Sequence, residues 1–242
     1  MHGTRLDFGA PSLRSAPKSP EIRFVKLLLS LFLSLVPAAG WAAEISGTID
    51  LASSQRGPSR RAAVRYAGQT GASAARPAPP RAVVYLSGSF SEEQLAAARK
   101  ARGPAIVGQK SFRFQPDILA VIRGTTIAFP NRDDDYHNIF SYSKAKRFDL
   151  GRYLPTEDAP TVTFDNAGPV RLFCEIHSHM RGLVLVLETP YFTTTNASGE
   201  FRLTGLPAGD YELVAWLSER VQHRQKITLT ANSKLKIELP DS

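Results

Sequence analysis

Short runs of apolar and β-branched residues, each closed by a Gly, Pro or Asn turn signal, fill most of the chain after residue 106. Gly124–Phe129 ends at a Pro-Asn turn, Pro169–Cys174 alternates in polarity, and Gly182–Leu187 is almost wholly apolar, as suits a strand at the centre of a sandwich. Many short strands separated by tight turns are typical of sandwiches and barrels rather than βαβ units. We therefore predict an all-β fold.

The same texture continues in shorter units from Thr189 to the C-terminus. Turn sequences at Asn196–Gly199 and Leu206–Gly209 separate predicted strands at Tyr191–Thr195, Phe201–Thr204, Tyr211–Leu217, Gln225–Leu229 and Lys234–Leu239. Asn196–Ser198 also matches a glycosylation acceptor sequence, but turn chemistry alone accounts for these residues. Residues 189–242 are thus expected to form a small β module.

Residues 43–105 combine two strand patterns with a composition that cannot fold. Glu44–Leu51 alternates in polarity and Ala82–Leu86 is apolar, so both predict strands. Residues 52–81 between them are crowded with Ala, Arg, Gly, Ser and Pro, which predicts a disordered loop. Ser91–Gln94 has the sequence of a capping box and predicts a short helix through Arg102.

Residues 1–42 are expected to be a signal peptide with an N-terminal extension. Arg23 and Lys26 precede the apolar run Leu27–Val36, and Gly40–Ala42 supplies a cleavage site. This run is shorter than the ~20 residues that span a bilayer, so no retained membrane span is predicted, with a retained anchor as the alternative. A start codon assigned too far upstream would explain the long stretch before Lys26. The prediction is a periplasmic protein.

The net charge limits the kinds of partner. The chain carries +8 formally, and about +5 remains once the residues before Ala43 are discounted. An exported β-rich chain without a basic helix or aromatic platform is not expected to bind nucleic acid. Such a charge suits an acidic partner surface or a polyanionic envelope.

Cys174 is the only cysteine, and it is followed by His177, His179 and Met180, with His137 well upstream. Two imidazoles and a thiolate in one plane with a long axial Met are the ligand set of a type 1 (blue) copper site. Exported proteins normally pair their cysteines, and a lone thiol there is open to oxidation unless a metal binds it. The alternative is a buried Cys that packs as a small hydrophobe. We predict one copper per chain, bound by His137, Cys174, His177 and Met180.

Residues 106–188 resemble the cupredoxins, and among them the amicyanin-like form. The resemblance is carried by the short Cys-x2-His-x2-Met loop followed by Arg-Gly, and by Gly124–Phe129, Asn131, Tyr136–Asn138 and Phe173–Gly182. The Phe129–Ser141 segment and Pro190–Phe192 are also similar to cupredoxin-containing proteins labelled as methylamine-utilisation proteins. The resemblance implies a Greek-key cupredoxin sandwich that exchanges electrons with a donor and an acceptor protein, without specifying either.

The C-terminal part resembles carboxypeptidase-regulatory-like (transthyretin-like) modules, through Thr195–Leu203 and Leu206–Leu213. Such modules usually begin with strands like Ile45–Ile49 and Ala82–Leu86. The resemblance therefore implies a smaller sandwich that is split, with the cupredoxin inserted between its second and third strands. A plain tandem order of the two sandwiches is the alternative.

Three further polar positions surround the predicted ligands. In cupredoxins the residue after the first His is commonly Asn, so the resemblance gives Asn138 the role of ordering the loop and hydrogen-bonding the sulfur. The alternative is a loop Asn with only local bonds. His179 is expected to be a rim residue that points to solvent. Asp133–Asp135 lacks the spaced oxygen ligands of a calcium loop and is interpreted as a solvated turn.

Residue counts exclude other copper functions. A multicopper oxidase needs histidines beside the cysteine, where Phe173 and Glu175 stand, and a binuclear site needs two bridging cysteines. No Ser-His-Asp spacing or phosphate loop indicates an enzyme. The sequence thus predicts an exported type 1 copper protein that carries single electrons between redox partners. The alternative is a non-redox copper-binding or cell-envelope-binding β-sandwich protein.

Overall fold

The computed structural model describes residues 42–51, 81–218 and 222–239, which confirm the all-β prediction. The predicted signal peptide and the predicted disordered loop lie outside the described residues, except for their last residues Ala42 and Arg81. No helix in the described ranges has the length and apolar character needed to cross a membrane. The elements in chain order are β1 (Ala43–Ile49), β2 (Val83–Ser87), α1 (Glu92–Arg102), β3 (Ala105–Ile106), β4 (Gly108–Gln109), β5 (Phe114–Gln115), β6 (Ile118–Ile122), β7 (Thr125–Ala128), β8 (His137–Tyr142), β9 (Arg147–Tyr153), β10 (Thr161–Phe164), β11 (Gly168–Phe173), β12 (Arg181–Leu187), β13 (Phe192–Thr194), β14 (Glu200–Leu206), β15 (Gly209–Trp216), β16 (Gln222–Leu229) and β17 (Lys234–Leu239).

Strands β3 to β12 form one sandwich, called here the site-bearing sandwich. A five-stranded sheet in the order β6-β12-β11-β8-β9 packs on a three-stranded sheet in the order β10-β7-β3, and β4 pairs with β5. Alternation along β11 turns Val170 and Leu172 inward, in line with Cys174 just beyond the strand. They pack against Phe129 and Phe164, which are fully buried.

The remaining strands form a small sandwich from both ends of the described chain. One sheet has the order β14-β1-β17 and the other the order β13-β2-β15-β16. Strand β1 lies antiparallel to β14 and parallel to β17, while β2 lies antiparallel to both β13 and β15. The site-bearing sandwich therefore lies in sequence between the second and third strands of the small one.

A third apolar cluster explains why β12 carries almost no polar residues. Val184 and Val186 face the core of the site-bearing sandwich, whereas Leu185 and Leu187 face the opposite way. The outward pair joins a buried cluster of seven residues from the two sandwiches and α1: Val83, Leu95, Ile122, Leu185, Leu187, Phe192 and Trp216. Strand β12 is buried on both faces, which requires an uninterrupted apolar run.

Helix α1 begins and ends as its sequence predicts. Ser91 Oγ accepts from the Gln94 N–H at 3.2 Å, and Gln94 Oε1 accepts from the Ser91 N–H at 2.8 Å, so both halves of the capping box are present. The helix ends before Gly103, whose φ of 71° few other residues tolerate. Its one fully buried side chain, Leu95, joins the third cluster.

The contact between β1 and the C-terminal segment can be tested with two glycines. Gly199 (φ 81°) and Gly205 (φ 73°) both have positive φ, which costs an Ala roughly 1–2 kcal/mol. A Cβ at Gly199 would also overlap the Ile49 carbonyl of β1, whereas a Cβ at Gly205 meets nothing within 4 Å. We expect Gly199→Ala to lower the free energy of unfolding clearly more than Gly205→Ala in urea denaturation. Equal losses would contradict the pairing of β1 with this turn.

Candidate metal centre

Three elements bring the predicted ligands to one end of the site-bearing sandwich. His137 is the first residue of β8, and Cys174 directly follows the last residue of β11, which pairs with β8 in the same sheet. His177 and Met180 lie in the loop from β11 to β12, which closes through a hydrogen bond from the Met180 N–H to the His177 carbonyl at 2.8 Å. Adjacent strands and one tight loop therefore supply all four residues.

Three of the four side chains point their donor atoms at each other. The Cys174 Sγ lies 4.0 Å from His137 Nδ1 and 3.9 Å from His177 Nδ1. The two Nδ1 atoms are 3.1 Å apart. Cys174 is a free, buried thiol, and Met180 is 1 % exposed in the same apolar cluster. The axial position predicted for the Met180 sulfur remains a prediction.

This donor set fits a soft metal ion. Two imidazole nitrogens and one sulfur lie within 4.8 Å of one another, and among the described residues no carboxylate joins this cluster. Imidazole suits copper, zinc and iron, while thiolate and thioether donors select copper(I), zinc or iron–sulfur clusters. A copper ion fits the residues present, because the buried thiol and the two ring nitrogens can each donate a lone pair to it.

Asp133 contradicts the interpretation of Asp133–Asp135 as a solvated turn. It is 6 % exposed, and its Oδ2 lies 2.9 Å from Nε2 of the fully buried His137. Its carboxylate also accepts hydrogen bonds from the N–H groups of Ser111 and Phe112, at 2.6 and 2.9 Å. Burial alone would raise the pKa of Asp133, but the bonds from Phe112, His137 and Ser111 outweigh it and hold the pKa below its ordinary value.

A buried polar network holds the loop that leads to His137. The Asn131 amide donates to the Asp135 carbonyl at 2.8 Å and to the Tyr153 carbonyl at 3.1 Å, while its oxygen accepts from the Asp133 N–H at 3.0 Å. The Tyr153 hydroxyl donates to the Phe129 carbonyl at 2.8 Å. Burial raises the pKa of Tyr153 well above its ordinary value, so it stays a neutral donor. The network ties the loop to the core.

His177 is the ligand candidate nearest to solvent. Its side chain is 17 % exposed, and its Nε2 lies 3.7 Å from Asp135 Oδ2. Burial and then the neighbouring His137 lower the pKa of His177 below 6.5, with Asp135 opposing them. The ring of Phe112, itself 41 % exposed, stands edge-on to His177 at 4.8 Å between centroids. The lowered pKa favours the neutral form of the His177 ring, which an exposed aromatic ring partly covers.

Asn138 and His179 occupy different positions around the centre. The Asn138 side-chain oxygen accepts from the N–H of Glu175, directly after Cys174, at 2.7 Å. This bond fixes the start of the β11–β12 loop against β8, and the predicted bond to the sulfur remains a prediction. His179 is exposed, and its ring centroid lies 6.1 Å from that of His177.

Comparison with known sequences gives one partial match. The family model of the carboxypeptidase regulatory-like domain matches residues 181–240, about a quarter of the chain. The matched range begins with β12, which pairs in the five-stranded sheet of the site-bearing sandwich, and continues through β13 to β17 of the small sandwich. A comparison with curated proteins finds no match.

Solved structures of copper proteins align with about a third of the chain. A copper-containing nitrite reductase from Thermus scotoductus SA-01 is 24% identical over 36% of this chain and 23% of its own, with a TM-score of 0.34. Amicyanin from Paracoccus versutus is 24% identical over 35% of this chain and 81% of its own, with a TM-score of 0.32. A purple cupredoxin from Nitrosopumilus maritimus is 26% identical over 34% and 99%, with a TM-score of 0.31. The chain thus spans about a quarter of the reductase and most of the two smaller proteins.

Proposed function

We propose that this protein binds one copper ion through His137, Cys174, His177 and Met180, and carries single electrons between redox partners as a type 1 copper protein. The observation that carries the proposal is the triangle formed by Cys174 Sγ and the two Nδ1 atoms. It combines the sulfur and nitrogen donors of a blue copper site, and the buried Cys174 belongs to the same apolar cluster as the buried Met180.

Rigid positioning of the ligands supports electron transfer. Copper bound there would supply one-electron chemistry, cycling between Cu(I) and Cu(II). His137 begins a paired strand, Cys174 directly follows one, and Asn138 ties the two together through Glu175. Side chains held in this way keep nearly the same positions in both oxidation states, which lowers the reorganisation that electron transfer requires.

The edge of His177 is the proposed port for electrons. Its ring is the partly exposed member of the triangle. The exposed Phe112 packs against it, and the exposed Ile176 precedes it in sequence. A donor and an acceptor protein would approach this end in turn. The net charge of about +5 without the first 42 residues favours acidic partners over nucleic acid. We further propose a periplasmic location and a role as a carrier rather than an enzyme.

Copper titration with visible spectroscopy tests the proposal. Purified protein is loaded with Cu(II), and absorbance is followed to saturation at one copper per chain. We expect an intense thiolate-to-copper band that disappears with ascorbate and returns with ferricyanide. Bound copper without this band would favour the non-redox copper-binding protein instead. Absence of copper binding would remove the proposed function.

Met180→Leu tests the fourth ligand. Leu conserves the buried volume and costs less than roughly 1.5 kcal/mol of stability, so the triangle should persist. We expect the blue band to remain and the reduction potential to rise, because a weak axial donor that favours Cu(II) is lost. The rise should be on the order of 60 mV, a tenfold change in relative affinity, as measured by redox titration. Loss of all copper from this variant would contradict the weak axial role.

A further inference from the structure

The buried carboxylate of Asp133 contacts the His137 ring on the side opposite the triangle of Cys174 Sγ and the two Nδ1 atoms. Its Oδ2 lies 2.9 Å from Nε2, while Nδ1 of the same ring faces Cys174 and His177. We propose that Asp133 is a positioning residue that fixes the tautomer and ring orientation of His137 and raises its strength as a copper donor. The role as a copper donor rests on the proposed function, whereas the tautomer does not.

The tautomer follows from the donor and acceptor inventory. A neutral imidazole carries one N–H and one lone pair, and an ionised carboxylate can only accept. Asp133 therefore selects the tautomer with the proton on Nε2. The lone pair is left on Nδ1, directed toward the Cys174 sulfur and the His177 nitrogen. Only this tautomer of His137 can bind a metal in the triangle.

Asp133 is itself held from an element far away in sequence. Ser111 and Phe112 lie between β4 and β5 and have positive φ values of 53° and 56°. Their N–H groups point at the two oxygens of the carboxylate, one at each. Successive N–H groups arranged in this way form an anion-binding concavity. Lys110 adds its ammonium group 3.8 Å from Oδ1.

Three hydrogen-bond donors leave the carboxylate no freedom to turn. Two oxygens serve Ser111, Phe112 and His137, and the side chain is 8 % exposed, so water cannot substitute readily. An amide of the same shape offers one accepting oxygen and could not satisfy all three donors. Asp133→Asn is therefore a near-isosteric change that specifically disturbs the support of His137.

The same turn also contacts the metal triangle directly. The Phe112 ring stands edge-on to both His137 and His177, at 5.7 and 4.8 Å between centroids. The backbone of Phe112 thus holds the carboxylate behind His137 while its side chain packs against both imidazole rings. The β4–β5 turn and the Asp133 loop together form one support for the metal centre.

A carboxylate behind a ligand imidazole makes the ring more basic, and loss of such a partner typically costs 10–100-fold in metal affinity. Cu(II) gains more than Cu(I) from a more basic nitrogen. We therefore expect Asp133→Asn to weaken Cu(II) binding more than Cu(I) binding and to raise the reduction potential. A tenfold difference between the two losses corresponds to about 59 mV.

The first measurement needs no metal and no variant. Two-dimensional ¹⁵N NMR of the histidine rings, on the metal-free protein at mildly alkaline pH, reports which ring nitrogen carries the proton. We expect His137 as the Nε2–H tautomer, with the proton protected from exchange. A predominant Nδ1–H tautomer would overturn the proposal whether or not the protein binds copper. The right tautomer in a protein that forms no blue site would leave the Asp133–His137 assignment standing and remove the proposed function.

The second measurement compares two variants that remove the same charge. Asp133→Asn loses the buried partner of His137, while Asp134→Asn changes the exposed neighbouring residue. We expect at least a tenfold loss of Cu(II) affinity and a raised potential in Asp133→Asn only, with its His137 tautomer no longer uniform. Equal changes in the two variants would assign the effect to charge alone and overturn the positioning role. Should Asp133→Asn fail to fold, the NMR result on the unaltered protein still decides the matter.

Discussion

Cys174→Ser is expected to abolish the visible band of the copper-loaded protein completely. The thiolate-to-copper band requires the cysteine sulfur. The serine hydroxyl is a hard and weakly acidic group, which copper does not deprotonate as it does the thiol. Cys174 supplies the only sulfur of the triangle, within 4.0 Å of both imidazole nitrogens. Visible spectra and copper stoichiometry of the variant and the unaltered protein, recorded side by side, check this result.

The fold of Cys174→Ser should survive, which makes the result interpretable. The side chain changes little in size and keeps its shape, and it lies beside two polar ring nitrogens rather than in a wholly apolar site. Far-ultraviolet circular dichroism should therefore match that of the unaltered protein. A blue band of undiminished intensity in the serine variant would show that Cys174 is not a ligand.

His177→Ala should remove or severely alter the blue site, whereas His179→Ala should leave it nearly intact. His177 Nδ1 lies 3.9 Å from the Cys174 sulfur, and the His179 ring is exposed beyond it. Truncating His177 opens a position in the triangle, and truncating His179 removes only a surface ring. The two variants are matched, since each removes one imidazole from the same loop.

Added imidazole sharpens the distinction between the two histidines. A free imidazole can enter the space left by His177→Ala from solvent, because that side chain is partly exposed. We expect partial return of the blue band on titration with imidazole, and no response in His179→Ala. If His179→Ala lost the blue band and His177→Ala retained it, the assignment of His177 rather than His179 as the ligand would be wrong.

Local patterns predicted the C-terminal strands and the helix closely. Lys234–Leu239 matches β17, the capping box marks the first turn of α1, and the other C-terminal strands differ by a few residues at their ends. These elements depend on alternation and turn chemistry within a few residues. The near-continuous apolar run of β12 predicted a central strand, but not that its outer face packs on α1 and the small sandwich.

The support around His137 was not predictable in the same way. A run of three aspartates looks like a solvated turn, and nothing near Asp133 in the sequence indicates that it is buried. Its burial depends on Ser111 and Phe112, about twenty residues away, whose positive φ is unusual for such residues. The spacing of four residues between Asp133 and His137 was the one available signal.

The strand order of the small sandwich has a consequence for the growing polypeptide. Glu44 of β1 pairs with Arg202 of β14 across 158 positions, and β17 on its other side is made later still. Chains are synthesised from the N-terminus, so both backbone edges of β1 and of β2 stay unpaired until their partner strands have been synthesised.

Folding of the inserted site-bearing sandwich makes this late pairing easier. The site-bearing sandwich is inserted between β2 and β13, and these two strands pair with each other. Its folding therefore brings the two separated parts of the small sandwich together. The small sandwich is thus the last part of the molecule to complete its strand pairing. A chain that ended before β14 would contain His137, Cys174, His177 and Met180, yet it would leave β1 and one edge of β2 unpaired, which favours aggregation.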